Sequence, residues 1–511
     1  QPQRIFKWLP DITIDHKGNV QLYEYKAEDT AAVPDVIYEK NRKNGLQAIA
    51  NAYLKRVYDG NRTPYFIKPG ESDVLFPELP DTEWLFEAVL DYGEHGQQSY
   101  TEQGPWAFRQ DAFSDFHAGF EIRTYRKCHS VLMFHHFEEL NAGNPTLVRS
   151  LDLQYEADAA TAAVETDYII QARMSAYRLE GSGSYSSRSL PAMKLKYSKL
   201  NWNTRITKVT EENFSGATQG LSGPYQWMDF EGEGISGIFT EQGKGWFYKN
   251  NLGKGHFAGP KLIAEKPSFA GMGQQLQWQD LDGDGRRQVV DSAVAKGFWE
   301  LDGQDAFTQY ENKWLPFRAF KDRVNIDWNS PFTQMLDLNG DGRADVLLTE
   351  DRAWSWWENE GKKGFDFGGN AAVFNDEEKG PVLLLRDAVQ SIFLADMNGD
   401  GMTDLVRIRN GEVCYWPNMG YGRFGAKVGM QGAPYFDAPE LFNPQYLALA
   451  DISGTGAADL IYTGKNKCTA WINRSGNAFA EGFDINPLPG TDAYSKLAVV
   501  DFLGNGTACL V

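Results

Sequence analysis

The chain has 511 residues and a formal net charge of −19; 42% of its residues are apolar and 14% aromatic. That apolar share supplies large cores and excludes a disordered chain, while the negative charge opposes nonspecific binding to nucleic acid or an anionic membrane. No run approaches the roughly 18 consecutive apolar residues of a membrane-crossing helix, so direct membrane insertion is not expected.

Residues 1–210 read as a β-rich, shell-like region. Strand-like runs with alternating aromatics occupy 21–25, 84–92, 120–126, 131–134, 151–155 and 194–197. Two short helices are expected, at 45–53 and 157–165. Gly181 to Ser187 reads as a loop or hairpin tip, and the Gly/Ser-rich stretch 215–223 sets a boundary near 205–220. The chain opens on Gln1 with no visible signal peptide and closes on Leu510 and Val511 inside an apolar run. These ends read as those of a piece cut from a longer protein. Cys128, Cys414, Cys468 and Cys509 are too scattered for a disulfide framework and read as small buried apolar residues.

Residues 211–511 are dominated by repeats. Six segments share an Asp, a Gly-rich hairpin and an apolar strand: DFEGEGISGI at 229, DLDGDGRRQV at 280, DLNGDGRADV at 337, DMNGDGMTDL at 396, DISGTGAADL at 451 and DFLGNGTACL at 501. Their leading Asp residues are 51, 57, 59, 55 and 50 residues apart. After the motif comes an aromatic strand, then Asn or Asp, Gly and Phe, as in Trp356, Trp357, Asn359, Gly361 and Phe365, or Tyr415, Trp416, Asn418, Gly420 and Phe424. A unit of this length holds about four antiparallel strands, the size of one propeller blade. The expectation is an all-β protein with a six-bladed β-propeller; a linear stack of sheets is the rival. The sixth unit stops after its loop, so its aromatic and outer strands must come from beyond Val511 or from earlier in the chain.

The motif D-x-[DN]-x-[DN]-G converges oxygens at alternate positions of a tight turn, which suits Ca²⁺. Two loops are complete: Asp337, Asn339, Asp341 with Asp345, and Asp396, Asn398, Asp400 with Asp404. A third, Asp280, Asp282 and Asp284, has Gln288 where the closing carboxylate belongs, and the remaining loops have lost ligands. The alternative is that these are turns in which Asp caps backbone N–H groups and Gly supplies positive φ. Any calcium here is structural. The adjacent His135 and His136 point to opposite faces of a strand and do not make a metal pair. The Glu231/Glu233 and Glu358/Glu360 pairs resemble the paired glutamates of ADP-ribosyl transfer but fall inside propeller turns. Repeated aromatics read as core between blades; Trp106, off the pattern, is left open. No G-x-S-x-G, H-E-x-x-H or P-loop is present.

Several longer runs stand in order: RIFKWL at 4–9, YKAED at 25–29, GNRTP at 60–64, DYGEH at 91–95, RQDAFS at 109–114, GFEIRTYR at 119–126, GEGISG at 232–237 and VRIRNGEVCYWP at 406–417. On these the chain resembles the SpvB/TcB family, the B component of bacterial insecticidal toxin complexes (Tc toxins). The resemblance implies a propeller of FG-GAP/VCBS-like repeats and a secreted bacterial protein. It implies two partners, a pore-forming A component and a toxin-bearing C component. In this family B and C form a hollow β-shell around a cytotoxic segment, and the propeller docks the shell to the pore and gates release. In SpvB-type members the ADP-ribosyltransferase activity belongs to a separate C-terminal domain, so this chain is expected not to be an enzyme. An extracellular adhesion or glycan-binding propeller is the other reading. The blades beginning at Asp229 and Asp501, which lack metal ligands, are the expected site of opening.

Overall fold

The computed structural model describes residues 5–511 apart from 48, 67–82, 97–98, 157–165, 182, 199–206, 208–224, 231, 244, 266–275, 293, 303–312, 329, 331, 351–352, 372–373, 383–390, 465–466, 486–497 and 506–507. The 157–165 helix and nearly all of the 205–220 boundary lie outside the described residues. Two units emerge. The first comprises 1–35, 48–114 and 121–200; the second comprises 36–47, 115–120 and 201–511.

The first unit is built on an antiparallel sheet of nine strands. Ile12–Ile14, Val20–Ala27, Ala52–Asn61, Trp84–Asp91, Ser130–His135, Thr146–Tyr155, Ile169–Leu179 and Tyr185–Ser189 lie side by side in that order. Met193–Lys194 also pairs with Ile169–Leu179. Alternation along these strands turns Val89, Leu132, Phe134 and Leu147 into one core. The helix expected over 45–53 is not formed. A short helix instead runs Lys40–Lys43, the chain turns at Gly45 with φ 69°, and Ala52–Asn61 is a strand. Tyr53 and Lys55 are buried at alternate positions, a period of two that a helix cannot satisfy.

The second unit is propeller-like, with five four-stranded antiparallel sheets each ordered as a meander. Blades 1 to 5 begin with the strands Tyr225–Met228, Leu276–Gln279, Thr333–Leu336, Ser391–Ala395 and Leu447–Ala450; blade 4, for example, is Ser391–Ala395, Asp404–Arg409, Glu412–Trp416 and Val428–Gly429. Each Asp motif joins the first strand of a blade to the second. Among the described residues the sixth motif joins only two strands, Val499–Val500 and Cys509–Leu510, so six full blades are not seen.

The repeated aromatics pack between neighbouring blades. Phe239 and Trp246 of blade 1 meet Val289 and Trp299 of blade 2; Val290 and Phe298 meet Val346 and Phe365 of blade 3. Trp354 and Trp356 meet Trp416 and Phe424 of blade 4, while Val406 and Tyr415 meet Leu460 and Tyr462 of blade 5. Ile461 and Ala470 then meet Val499 and Leu510. The series returns to its start: Phe502 packs on Tyr225, Ile238 and Phe257 of blade 1, and the Lys254 N–H donates to the Leu503 carbonyl at 2.8 Å. A linear stack has no such closing contact.

Candidate functional site

The Asp loops are governed by one hydrogen-bond scheme. The leading carboxylate accepts through Oδ1 from the glycine N–H three residues on, and through Oδ2 from the glycine N–H five residues on. These distances are 2.7 Å and 2.7 Å at Asp337, and the same at Asp396. Asp229 and Asp451, whose loops have lost ligands, keep the scheme at 2.7–2.9 Å. The two glycines sit at φ 80° and 83° in the Asp337 loop, a left-handed conformation that favours glycine. At Asp501 the bond recorded is from the Asn505 N–H, at 3.2 Å.

The residue eight places after the leading Asp is a bracket between strands. Asp345 accepts the Leu338 N–H on one oxygen and the Asn359 N–H on the other, at 3.0 and 2.8 Å. Asp404 holds Met397 and Asn418 in the same way, and Asp459 holds Ile452 and Asn473. Burial pushes the Asp345 carboxyl up to about 7 and Asp459 up to about 6 against the pull of these N–H donors. Asp404 is raised well above the usual carboxylate range by burial and the Asp400 charge. In blade 2, Gln288 accepts the Leu281 N–H alone, and its Nε2 has no partner among the described residues.

The asparagine that follows the aromatic strand joins blade to blade, a role its recurrence alone did not reveal. Asn418 Nδ2 donates to the Asp337 carbonyl at 3.1 Å, Asn473 to Met397 at 2.9 Å, and Asn251 to Phe502 at 3.1 Å.

The carboxylates of the expected calcium loops are arranged differently from loop to loop. Asp280, Asp282 and Asp284 bring their carboxylates within 4.8 Å of one another, an all-oxygen set that fits a hard divalent cation, although Lys362 Nζ lies 2.8 Å from Asp282 Oδ2. The carboxylates of Asp337, Asp341 and Asp345 do not gather to that distance, nor do those of Asp396, Asp400 and Asp404. Asn339 donates to Glu358, and Asp341 pairs with Arg343. Burial pushes Asp400 up to about 6.

Other residues singled out in the sequence find structural partners. His136 Nε2 is 3.0 Å from Glu87 Oε2, while His135 packs edge-on against Phe86. Glu360 pairs with Lys363, and Glu231 lies outside the described residues. Trp106 is fully buried, stacked on Tyr92 at 5.4 Å beneath the Lys26 and Arg126 cations. Cys414 and Cys468 are buried; Cys128 and Cys509 are half-buried.

Two stretches of the N-terminal half belong to the propeller unit, which no repeat could signal. In 36–47, Asn41 Nδ2 donates to Glu378 Oε2 at 2.9 Å and to the Lys427 carbonyl at 2.7 Å, while Ile37 lies against Gly429. Beside them Arg407 and Lys427 hold the Glu377 carboxyl down to about 2. In 115–120, the Phe116 N–H donates to Asp400 Oδ2 at 2.9 Å. On the connection between blades 4 and 5, Tyr435, Leu441 and Tyr446 are 81%, 65% and 47% exposed, side chains suited to contact with another protein.

Residues 1–137 match the family model described as Salmonella virulence plasmid 65kDa B protein (SpvB), and 337–407 match the FG-GAP-like repeat. Mono(ADP-ribosyl)transferase SpvB of Salmonella typhimurium (strain 14028s) and that of Salmonella dublin are each 36% identical over 155 residues, 29% of this chain and 25% of theirs. The chain thus covers about a quarter of the curated relatives it matches. Among solved structures, the Tc holotoxin pore of Photorhabdus luminescens is 28% identical, covering 98% of this chain and 22% of that one, with a TM-score of 0.80. The TcdB2-TccC3 complex is 26% identical over 98% of this chain and 24% of that one, with a TM-score of 0.66. The resemblance to SpvB is borne out in sequence and that to Tc-toxin components in fold. The expectation that the chain is not an enzyme is corrected: the curated relatives are named for an enzymatic activity, so likeness to this family does not imply its absence.

Proposed function

We propose that this chain is the propeller-bearing part of a secreted toxin-complex B component. In this reading the propeller docks a toxin-enclosing shell, shared with a toxin-bearing C component, to a pore-forming A component and gates release. The observation that carries it is the likeness to the Tc holotoxin pore structure over 98% of the chain at a TM-score of 0.80. The physics agrees with it. A ring buttressed between successive blades is a rigid platform, and the exposed Tyr435, Leu441 and Tyr446 supply apolar surface for a partner. The sixth motif completes the ring as a sixth blade, and the gate lies where that blade meets blade 1.

The test mixes the chain with a pentameric A component and follows complex formation by native mass spectrometry. A complex that Tyr435→Glu weakens about tenfold or more is expected. No complex, together with chelator-sensitive capture on a glycan array, would favour the adhesion reading instead. Calcium is proposed as structural at Asp280, Asp282 and Asp284. Added Ca²⁺ at a hundredfold excess over its dissociation constant should add about 2.7 kcal/mol of stability, seen as a higher thermal midpoint, and Asp284→Asn should abolish the increment.

A further inference from the structure

Among the described residues, three groups of imidazole and carboxylate side chains bring donor atoms within 4.8 Å of one another: Glu94, His95 and Glu102; Asp280, Asp282 and Asp284; and Asp115, His117 and Asp400. In the first, a lysine ammonium already stands where a cation would. Lys55 Nζ contacts Glu94, lies 2.7 Å from His95 Nε2 and 3.7 Å from Glu102. In the second, Lys362 stands beside Asp282. The third group has no lysine or arginine ion pair among the described residues.

That third group is assembled from distant parts of the chain within the propeller unit. His117 Nδ1 is 3.1 Å from Asp115 Oδ1, and both side chains are about half exposed and open to an incoming ion. Phe116, fully buried between them in sequence, anchors the segment and donates its N–H to Asp400. The imidazole lies over the third-blade loop, where a Cβ built on Gly340 would stand 3.2 Å from His117 Cδ2. In the turn that carries Asp400, Asn398 is 4% exposed and accepts the Asp400 N–H through Oδ1 at 2.9 Å. Its Nδ2 has no acceptor among the described residues.

One imidazole nitrogen with two carboxylate oxygens is a donor set for a borderline divalent metal such as Zn²⁺, with a fourth position left for water. Ca²⁺ takes oxygen ligands and has no use for the imidazole. We propose that Asp115, His117 and Asp400 form a zinc-class metal site that clamps the 115–120 segment to the fourth-blade turn. The site does not depend on the toxin-complex reading, since its assay requires no partner protein.

The experiment titrates the metal-free full chain with Zn²⁺, and separately with Ca²⁺, by calorimetry. Hydrogen exchange across 115–120 is followed in parallel. One equivalent of Zn²⁺ is expected, with slowed exchange in 115–120. His117→Ala and Asp115→Ala, at half-exposed positions that leave folding intact, should weaken binding about tenfold or more; Asp284→Asn should leave it unchanged. Zinc binding of equal strength in His117→Ala would place the ion elsewhere and overturn the proposal. So would the absence of zinc binding, or binding that leaves exchange in 115–120 unaltered.

Discussion

Asp345 uses both carboxylate oxygens on backbone N–H groups, and nothing else of similar size can do so. In Asp345→Asn, a single carbonyl oxygen would face two donors, Leu338 and Asn359, and the new amide would confront one of them. A loss of about 1–3 kcal/mol is expected, from leaving one buried N–H without an acceptor. It would be read as a lower urea midpoint at unchanged slope. Gln288, which already satisfies only one N–H, marks blade 2 as the natural precedent. Glu377 offers a pH test. Its folded-state pKa, held near 2 by Arg407 and Lys427, lies below its unfolded value. Its contribution to stability is therefore present above the unfolded pKa and is lost as pH falls from about 4.5 toward 2. The stability gap between the parent and Glu377→Gln should narrow on acidification across that window, measured by urea melts. Much of Glu377 is solvent-exposed, so the gap should be small.

At the scale of elements, the ring junction differs from the other interfaces. Blades 3 and 4 face each other with whole sheets and several tryptophans, whereas among the described residues blade 1 meets a sheet of two two-residue strands. Phe502 carries much of that contact, lying 5.3 Å from Phe257 and 5.9 Å from Trp227. Phe502→Ala should cost about 3–5 kcal/mol, from lost burial and the cavity left behind. Its effect should appear as faster hydrogen exchange in blade 1 and the sixth sheet, with Asp404–Arg409 unchanged. In the parent chain the junction should already exchange faster than blades 3 and 4. Equal protection around the ring would remove the proposed gate.

At the scale of the whole molecule, a cut at the apparent repeat boundary does not separate the two units. A 211–511 fragment lacks 36–47 and 115–120, and so loses the Asn41 bonds to blade 4 and the Phe116 bond to Asp400. The fragment should melt below the full chain. Co-expression with 1–210 should restore the higher transition, as followed by calorimetry. If the fragment melts with the parent, the two segments are passive passengers on the propeller.

The sequence by itself determined the β-propeller repeat, the place of every Asp turn and the aromatic positions between blades. These rest on local rules: period-two burial along strands, glycine at positive φ, and a short carboxylate that caps the N–H groups of its own turn. Only the tertiary structure decided which carboxylates gather. Asp345 and Asp404 sit eight residues after the leading Asp, as a metal ligand would, yet both turn inward to bracket strands. Asp400 turns to Phe116, 284 residues earlier in the chain. The inter-blade work of Asn418 and Asn473, the burial of Trp106 and the loan of two N-terminal segments to the propeller share the same cause. Each depends on contacts between residues far apart in the chain, and no spacing within a repeat encodes such contacts.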